Sequence, residues 1–195
     1  MHHKPPLRER VVAALHRLRI QQNRLEGASI RMQQHDKELF SKCVSAQMSK
    51  DSARAAMYAS ECSEIRKIAR VTLRCQLALE QVSIRLETVE QFGDIAAMMG
   101  PVASVVRDLK QQISGVMPEV SFELGEIGES LNSIVLEVGE ASGHMYNVET
   151  SDQEAQKILG EANVVAEQKM KEKFPELPEP ASPSSERTQN MGLPK

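Results

Sequence analysis

Apolar residues recur every seven positions through the first half of the chain. Val11, Leu18, Leu25, Met32 and Leu39 form one row, and from Leu7 to Met48 no proline and a single glycine, Gly27, interrupt it. A second proline-free run from Ser52 to about Met99 carries Ile65, Thr72, Leu79 and Leu86 in one row, with Ile68, Cys75, Val82 and Val89 three positions on. A seven-residue beat sustained this long predicts two helices that pack as coiled-coil strands do. Between them lies Ser49-Lys50-Asp51-Ser52, where Ser and Asp side chains can close one helix and cap the next. A chain that folds back there pairs residues whose numbers total a constant. Leu15 then faces Val89, Leu18 faces Leu86, Leu25 faces Leu79, Met32 faces Thr72 and Leu39 faces Ile65. Apolar meets apolar along most of that seam, which predicts a long antiparallel helical hairpin over residues 7–48 and 52–99.

The second row fares differently. The same register sets Gln22, Ser29 and Asp36 opposite Val82, Cys75 and Ile68, so this strip needs cover from later helices or from another subunit. Two arms of about 40 residues span roughly 60 Å and enclose too little core by themselves. Gly100-Pro101 is expected to end the second arm. Val102, Val105, Val106, Leu109 and Ile113 then space a short amphipathic helix, and Pro118 opens another carrying Val120, Leu124, Ile127, Leu131, Ile134 and Val138. Ile68, Val82 and Val89 with Leu124, Ile127 and Leu131 are the candidate surface for self-assembly or internal closure. Gly125, Gly128, Gly139 and Gly143 soften the region and predict a hinge. The expected organisation is a helical core over 1–140, a linker over 141–151, a last helix over 152–172 and a flexible proline-rich tail over 173–195. Composition puts the tail outside the helical core, and its extended backbone can offer Phe174 and Leu177 to a partner groove.

Composition supports an all-α fold: aromatics are 3% of residues and there is no Trp. Charge is sorted along the chain. Residues 1–50 hold 10 Lys and Arg against 4 Asp and Glu, residues 51–91 hold 6 against 6, and residues 92–195 hold 8 against 17. A basic front and an acidic rear allow the chain to close on itself or to seek an anionic surface. Arg10, Arg17, Arg24 and Arg31 make a seven-spaced stripe about 100° round the helix from the apolar row. With Lys4 and Arg8 it is a candidate for anionic membrane. Pairing within the hairpin, Arg10 with Asp94, Arg17 with Glu87 and Arg24 with Glu80, is the other use.

The sequence holds no apolar run near the roughly 20 residues of a membrane span, and Met1 to Pro6 has no hydrophobic signal region behind it, so a cytoplasmic, membrane-peripheral chain is expected. Cys43, Cys62 and Cys75 lack CxxC spacing and read as core residues. Neither a glycine-rich phosphate loop, a nucleophile elbow nor a close His/Cys cluster occurs, and no enzyme activity, cofactor or metal is expected. The basic stripe has almost no interleaved aromatics, which disfavours nucleic acid.

A long basic hairpin with a Ser- and Asp-marked turn, shorter helices, an acidic linker, a last helix and a terminal Phe174-Pro175-x-Leu177-Pro178-x-Pro180 peptide together resemble the ESCRT-III family, and most closely its archaeal cell-division branch. The peptide looks like the proline-rich, type 2 MIT-interacting motif. The resemblance implies subunits that polymerise on membrane with themselves and with paralogues, and an MIT-domain AAA ATPase that remodels them. It makes Phe174, Pro175, Leu177, Pro178 and Pro180 the docking residues. Two departures stand out. The start carries no apolar membrane-inserting segment, which leaves surface electrostatics or a recruiter to bring the chain to membrane. Some archaeal division members carry a winged-helix segment behind the motif, and with Ala181 to Lys195 following it here, a recruiter that uses that module is not expected. Phage-shock and vesicle-inducing proteins share the hairpin logic and are the alternative, as is a soluble coiled-coil scaffold.

Overall fold

Every regular element in the computed structural model, which describes residues 4–92, 95–143 and 147–179, is an α-helix. The long arms are α1 (Leu7–Met48) and α2 (Ser52–Phe92), followed by α3 (Ile95–Ile113), α4 (Pro118–Ser142) and α5 (Val148–Lys173). Pro6 stands immediately before α1, and its carbonyl accepts from the Arg10 N–H at 3.2 Å.

The turn forms where Ser and Asp mark it. Ser49 Oγ donates to the Ser45 and Ala46 carbonyls at 3.0 and 3.1 Å, which satisfies acceptors left over at the end of α1. Lys50 takes a left-handed conformation with φ 58°, and the Asp51 N–H reaches back to the Ala46 carbonyl at 2.9 Å. Asp51 Oδ1 then accepts from the Arg54 N–H at 3.1 Å and starts α2.

Beyond the turn the arms pack antiparallel, and toward the tip the seam departs from the expected row, with Asp36, Cys43, Ala55 and Cys62 buried while Leu39 and Ile65 are half-buried. Leu15, Leu18, Leu25, Leu79, Leu86 and Val89 are all buried in one cluster. Nearer the tip, Cys43 Sγ donates to the Ala55 carbonyl at 3.4 Å, and Arg66 grips Asp36 across the seam. The three cysteines are buried free thiols. Burial pushes Cys75 from 9.0 up to about 12, and burial with the nearby Asp36 charge pushes Cys62 up to about 11.

Gly100-Pro101 does not end a helix as expected. Both residues lie inside α3, which is described from Ile95 to Ile113, and both are buried. A proline removes one N–H and strains the preceding turn, yet here its ring is packed in the core rather than left at a boundary. Helix also extends into both ends of the segment expected to be a linker, since α4 runs to Ser142 and α5 starts at Val148. Gly143, with φ 65°, ends α4, and Asn147 Oδ1 caps α5 by accepting from the Glu149 and Thr150 N–H groups at 3.1 and 3.4 Å.

The three later helices cover the hairpin. α4 packs on α1, α3 on α2, and α5 on α2 and α3, while α3 and α4 pack on each other. Cross-helix pairs fix directions. Arg10 meets Glu137 and Arg17 meets Glu123, so α4 runs antiparallel to α1. Arg85 meets Glu154 and Arg74 meets Glu167, so α5 runs antiparallel to α2 and carries the chain back toward the hairpin turn.

Candidate functional site

Two surfaces of the hairpin and the tail peptide were expected to act, and the later helices meet both surfaces. On the basic stripe, Arg10 Nη1 lies 2.5 Å from Glu137 Oε2, Arg10 Nη2 donates to Ser133 Oγ at 3.1 Å, and Arg17 Nη2 lies 3.1 Å from Glu123 Oε2. Arg10 and Arg17 of the stripe therefore pair with α4, and Arg17 does so in place of the Glu87 that the register suggests. Glu87 is taken instead by Arg19. The reason is rotational: residues one step off the apolar row face the groove in which α4 lies, while the facing arm sits under the apolar row. Of the pairings expected within the hairpin, Arg10 with Asp94 falls on a residue outside the described ones. Arg24, Arg31, Lys4 and Arg8 are exposed.

The apolar strip is closed internally along most of its length. Val82 and Val89 of α2 and Leu124, Ile127 and Leu131 of α4 are buried in the main core, together with Val105, Leu109, Ala155 and Ile158. Ile68 is the exception at 41% exposed. It lies toward the tip, and the α5 residues there are engaged by its neighbours Ala69 and Leu73. An acidic face of α5 meets arginines of α2 along the same seam. Arg70 Nε lies 2.8 Å and Arg74 Nη2 3.3 Å from Glu167 Oε1, Arg85 Nη2 lies 3.4 Å from Glu154 Oε2, and Gln81 Nε2 donates to Glu161 Oε2 at 2.6 Å. These ion pairs are part-exposed, so each contributes only about 0 to 1 kcal/mol. Where α5 begins, Ser104 Oγ donates to Asp152 Oδ1 at 2.9 Å. Burial pushes the nearby Asp108 carboxyl above its usual range, and Arg107 partly offsets this.

The tail departs from expectation at its first residue. Phe174 is not outside the core: it is 7% exposed and packs with Ala69, Leu73, Ala166 and Met170. One aromatic ring carries enough apolar area to dock on the small residues of α2 even though the prolines after it end the helix. Pro175 to Glu179 are non-helical, Leu177 and Pro178 are half-buried, and Pro180 lies outside the described residues. Asp36, expected only as a polar residue facing the second row, and Arg66, which periodicity did not single out, organise this end. Asp36 is 1% exposed, and Arg66 holds it bidentately. The register sets Asp36 opposite Ile68, and the available signal was Arg66, two residues from Ile68 on the facing run.

Among the described residues no helix is long and apolar enough to cross a membrane, and no group of three or more His, Cys, Asp or Glu could hold a metal ion.

No family model matches the chain, and no solved structure does. Curated proteins of Sulfolobus acidocaldarius do. Cell division protein B1 is 55% identical over 175 residues, which span 90% of this chain and 82% of that protein. Cell division protein B is 39% identical over 166 residues, 85% of this chain and 64% of that longer protein. Cell division protein B3 is 28% identical over 118 residues, 60% of this chain and 68% of its own. High identity over most of both chains, on a helical hairpin with shorter helices folded against it, gives the assignment: the chain belongs to the cell division protein B family, the archaeal cell-division branch of ESCRT-III.

Proposed function

We propose that this chain is a non-enzymatic cell-division subunit that polymerises on anionic membrane and is remodelled by an MIT-bearing AAA ATPase. Its relatives are named for cell division, and one organism carries B, B1 and B3 forms, which supports mixed assemblies of paralogous subunits. The observation that carries the reading is the cover on the hairpin. Its apolar strip and part of its arginine stripe are occupied by α3, α4 and α5 through contacts that a neighbouring subunit and an anionic surface can replace. A closed chain and a polymer then compete for one surface. A basic side chain near an anionic membrane is worth about 1 kcal/mol, comparable with each exposed ion pair it gives up. The exposed Lys4, Arg8, Arg24 and Arg31 make the first contact, at the division site.

Electron microscopy and sedimentation with acidic liposomes test this. A chain ending at Ser151 is expected to pellet and form filaments more readily than the full chain. Equal sedimentation of both, with and without liposomes, contradicts the reading. Docking is tested separately by capture on an MIT domain, which is expected to fail for Phe174→Ala and Leu177→Ala. Undiminished capture removes the peptide from the account.

A further inference from the structure

The peptide that ends the described chain already has a seat. Arg66 stands at its centre. Nε and Nη2 donate to Asp36 Oδ1 and Oδ2 at 2.7 and 2.9 Å, and Nη1 donates to the Pro175 carbonyl at 2.6 Å. The guanidinium carbon lies 5.6 Å from the centroid of the Phe174 ring. A buried carboxylate thus fixes the plane of a fork whose remaining edge and face point at the tail. Past Phe174 the chain continues to the hairpin tip, where Gln47 Nε2 donates to the Glu179 carbonyl at 3.3 Å. There a groove of about 550 Å³ is lined by Cys43, Ala55, Ala56 and Ala59 against Pro178. Small side chains on the facing helices leave an open groove, and the Pro178 ring forms part of its wall.

We infer that this face of α1 and α2 is a binding site for an apolar-proline peptide, occupied by residues Phe174 to Glu179 of the same chain, with Arg66 as its positioning residue. The contacts suit that ligand class. An aromatic ring enters an apolar nest under a cation, carbonyl oxygens meet the arginine and Gln47, and a preset extended backbone lies along the helices at low entropic cost. The inference deepens the docking reading and rests on it in one respect: the hairpin and an external MIT domain compete for the same Phe174, Leu177 and Pro178. Seating reduces the affinity of the full chain for such a receptor by the fraction of tails that are free. Docking is thereby coupled to whether α5 lies on α2.

The test compares MIT-domain binding by a synthetic peptide of residues 172–182, the full chain, and full chains carrying Arg66→Lys or Ala59→Arg. Amide hydrogen exchange at Phe174, whose N–H donates to the Met170 carbonyl at 3.0 Å, is followed in the three full chains. Lysine keeps a cation for Asp36 but loses the fork and the flat face. Ala59→Arg fills the groove from the surface and leaves the ion pair alone, and thermal melts check that both variants keep the hairpin. The peptide is expected to bind about tenfold tighter than the full chain, a difference that both variants narrow while tail exchange accelerates. Wild-type exchange in both variants, with peptide and full chain equal in affinity, overturns the seat. A peptide that fails to bind the MIT domain refutes the docking reading instead, and the exchange rates still decide whether the seat exists.

Discussion

A carboxylate as enclosed as Asp36 is costly to keep charged without partners, and the fork of Arg66 supplies two charge-assisted hydrogen bonds. Asp36→Ala leaves a guanidinium that is itself mostly enclosed without its anion. Urea unfolding is expected to report a loss of about 3 kcal/mol, in the range for breaking buried pairs, and a loss under about 0.5 kcal/mol contradicts the pairing. Two buried thiols contribute to the pH dependence of stability on the alkaline side. Cys62 and Cys75 titrate at about 11 and about 12 when folded against 9.0 when free, so the folded chain holds these protons longer than the unfolded chain does. Their contribution is intact below pH 9.0 and is lost as pH rises through 11 to 12. Stability measured from pH 8 upward is expected to decline from about pH 9, and Cys62→Ser/Cys75→Ala is expected to flatten that decline. An unchanged slope in the double variant refutes this. At this scale the sequence was readable in part: burial of the three cysteines followed from their spacing and rows, whereas the partner of Asp36 depends on how both arms rotate about their axes.

At the scale of the element, α4 is the piece whose stiffness can be altered by substitution at its glycines. A Cβ at Gly128 would sit 3.6 Å from Val106 Cγ1, an ordinary contact, so Gly128→Ala is expected to raise stability by about 0.5 to 1 kcal/mol in denaturant unfolding. At Gly125 the new Cβ would meet Lys110 Nζ at 3.0 Å, and the lysine tip must move, which trims the gain. If the glycines serve as a hinge, the stiffened α4 also slows assembly on liposomes. The hairpin elements were legible because a seven-residue beat, a proline-free run and a Ser/Asp turn all agree. The helix through Gly100-Pro101 was not. Gly100-Pro101 is a strong local breaker, and only tertiary packing reveals that both residues are buried within α3. Asn147 was the missed cap at the other end, where a linker reading of the glycines hid a start signal with Glu149 two residues on.

For the whole molecule, the sorting of charge along the chain becomes a fold in which an acidic rear lies on a basic front. The candidate apolar strip was legible as a row facing polar residues across the hairpin, because a row without a partner must be covered by something. Which helix covers it was not, since that depends on where α3 turns the chain. The tail's seat was hidden for the same reason: composition separates Phe174 to Glu179 from the helices, but α5 returns them to the hairpin tip. The central claim is that α5 masks a surface able to assemble on membrane. Ala155 and Ala162 are buried on the α5 face that meets the core, and Asp at both positions forces α5 off while making the chain more acidic. Co-sedimentation of the full-length Ala155→Asp/Ala162→Asp chain with acidic liposomes is the most direct measurement. The account predicts more pelleted protein than wild type in spite of the added negative charge; binding equal to or below wild type, in a variant whose helix content is retained, contradicts it.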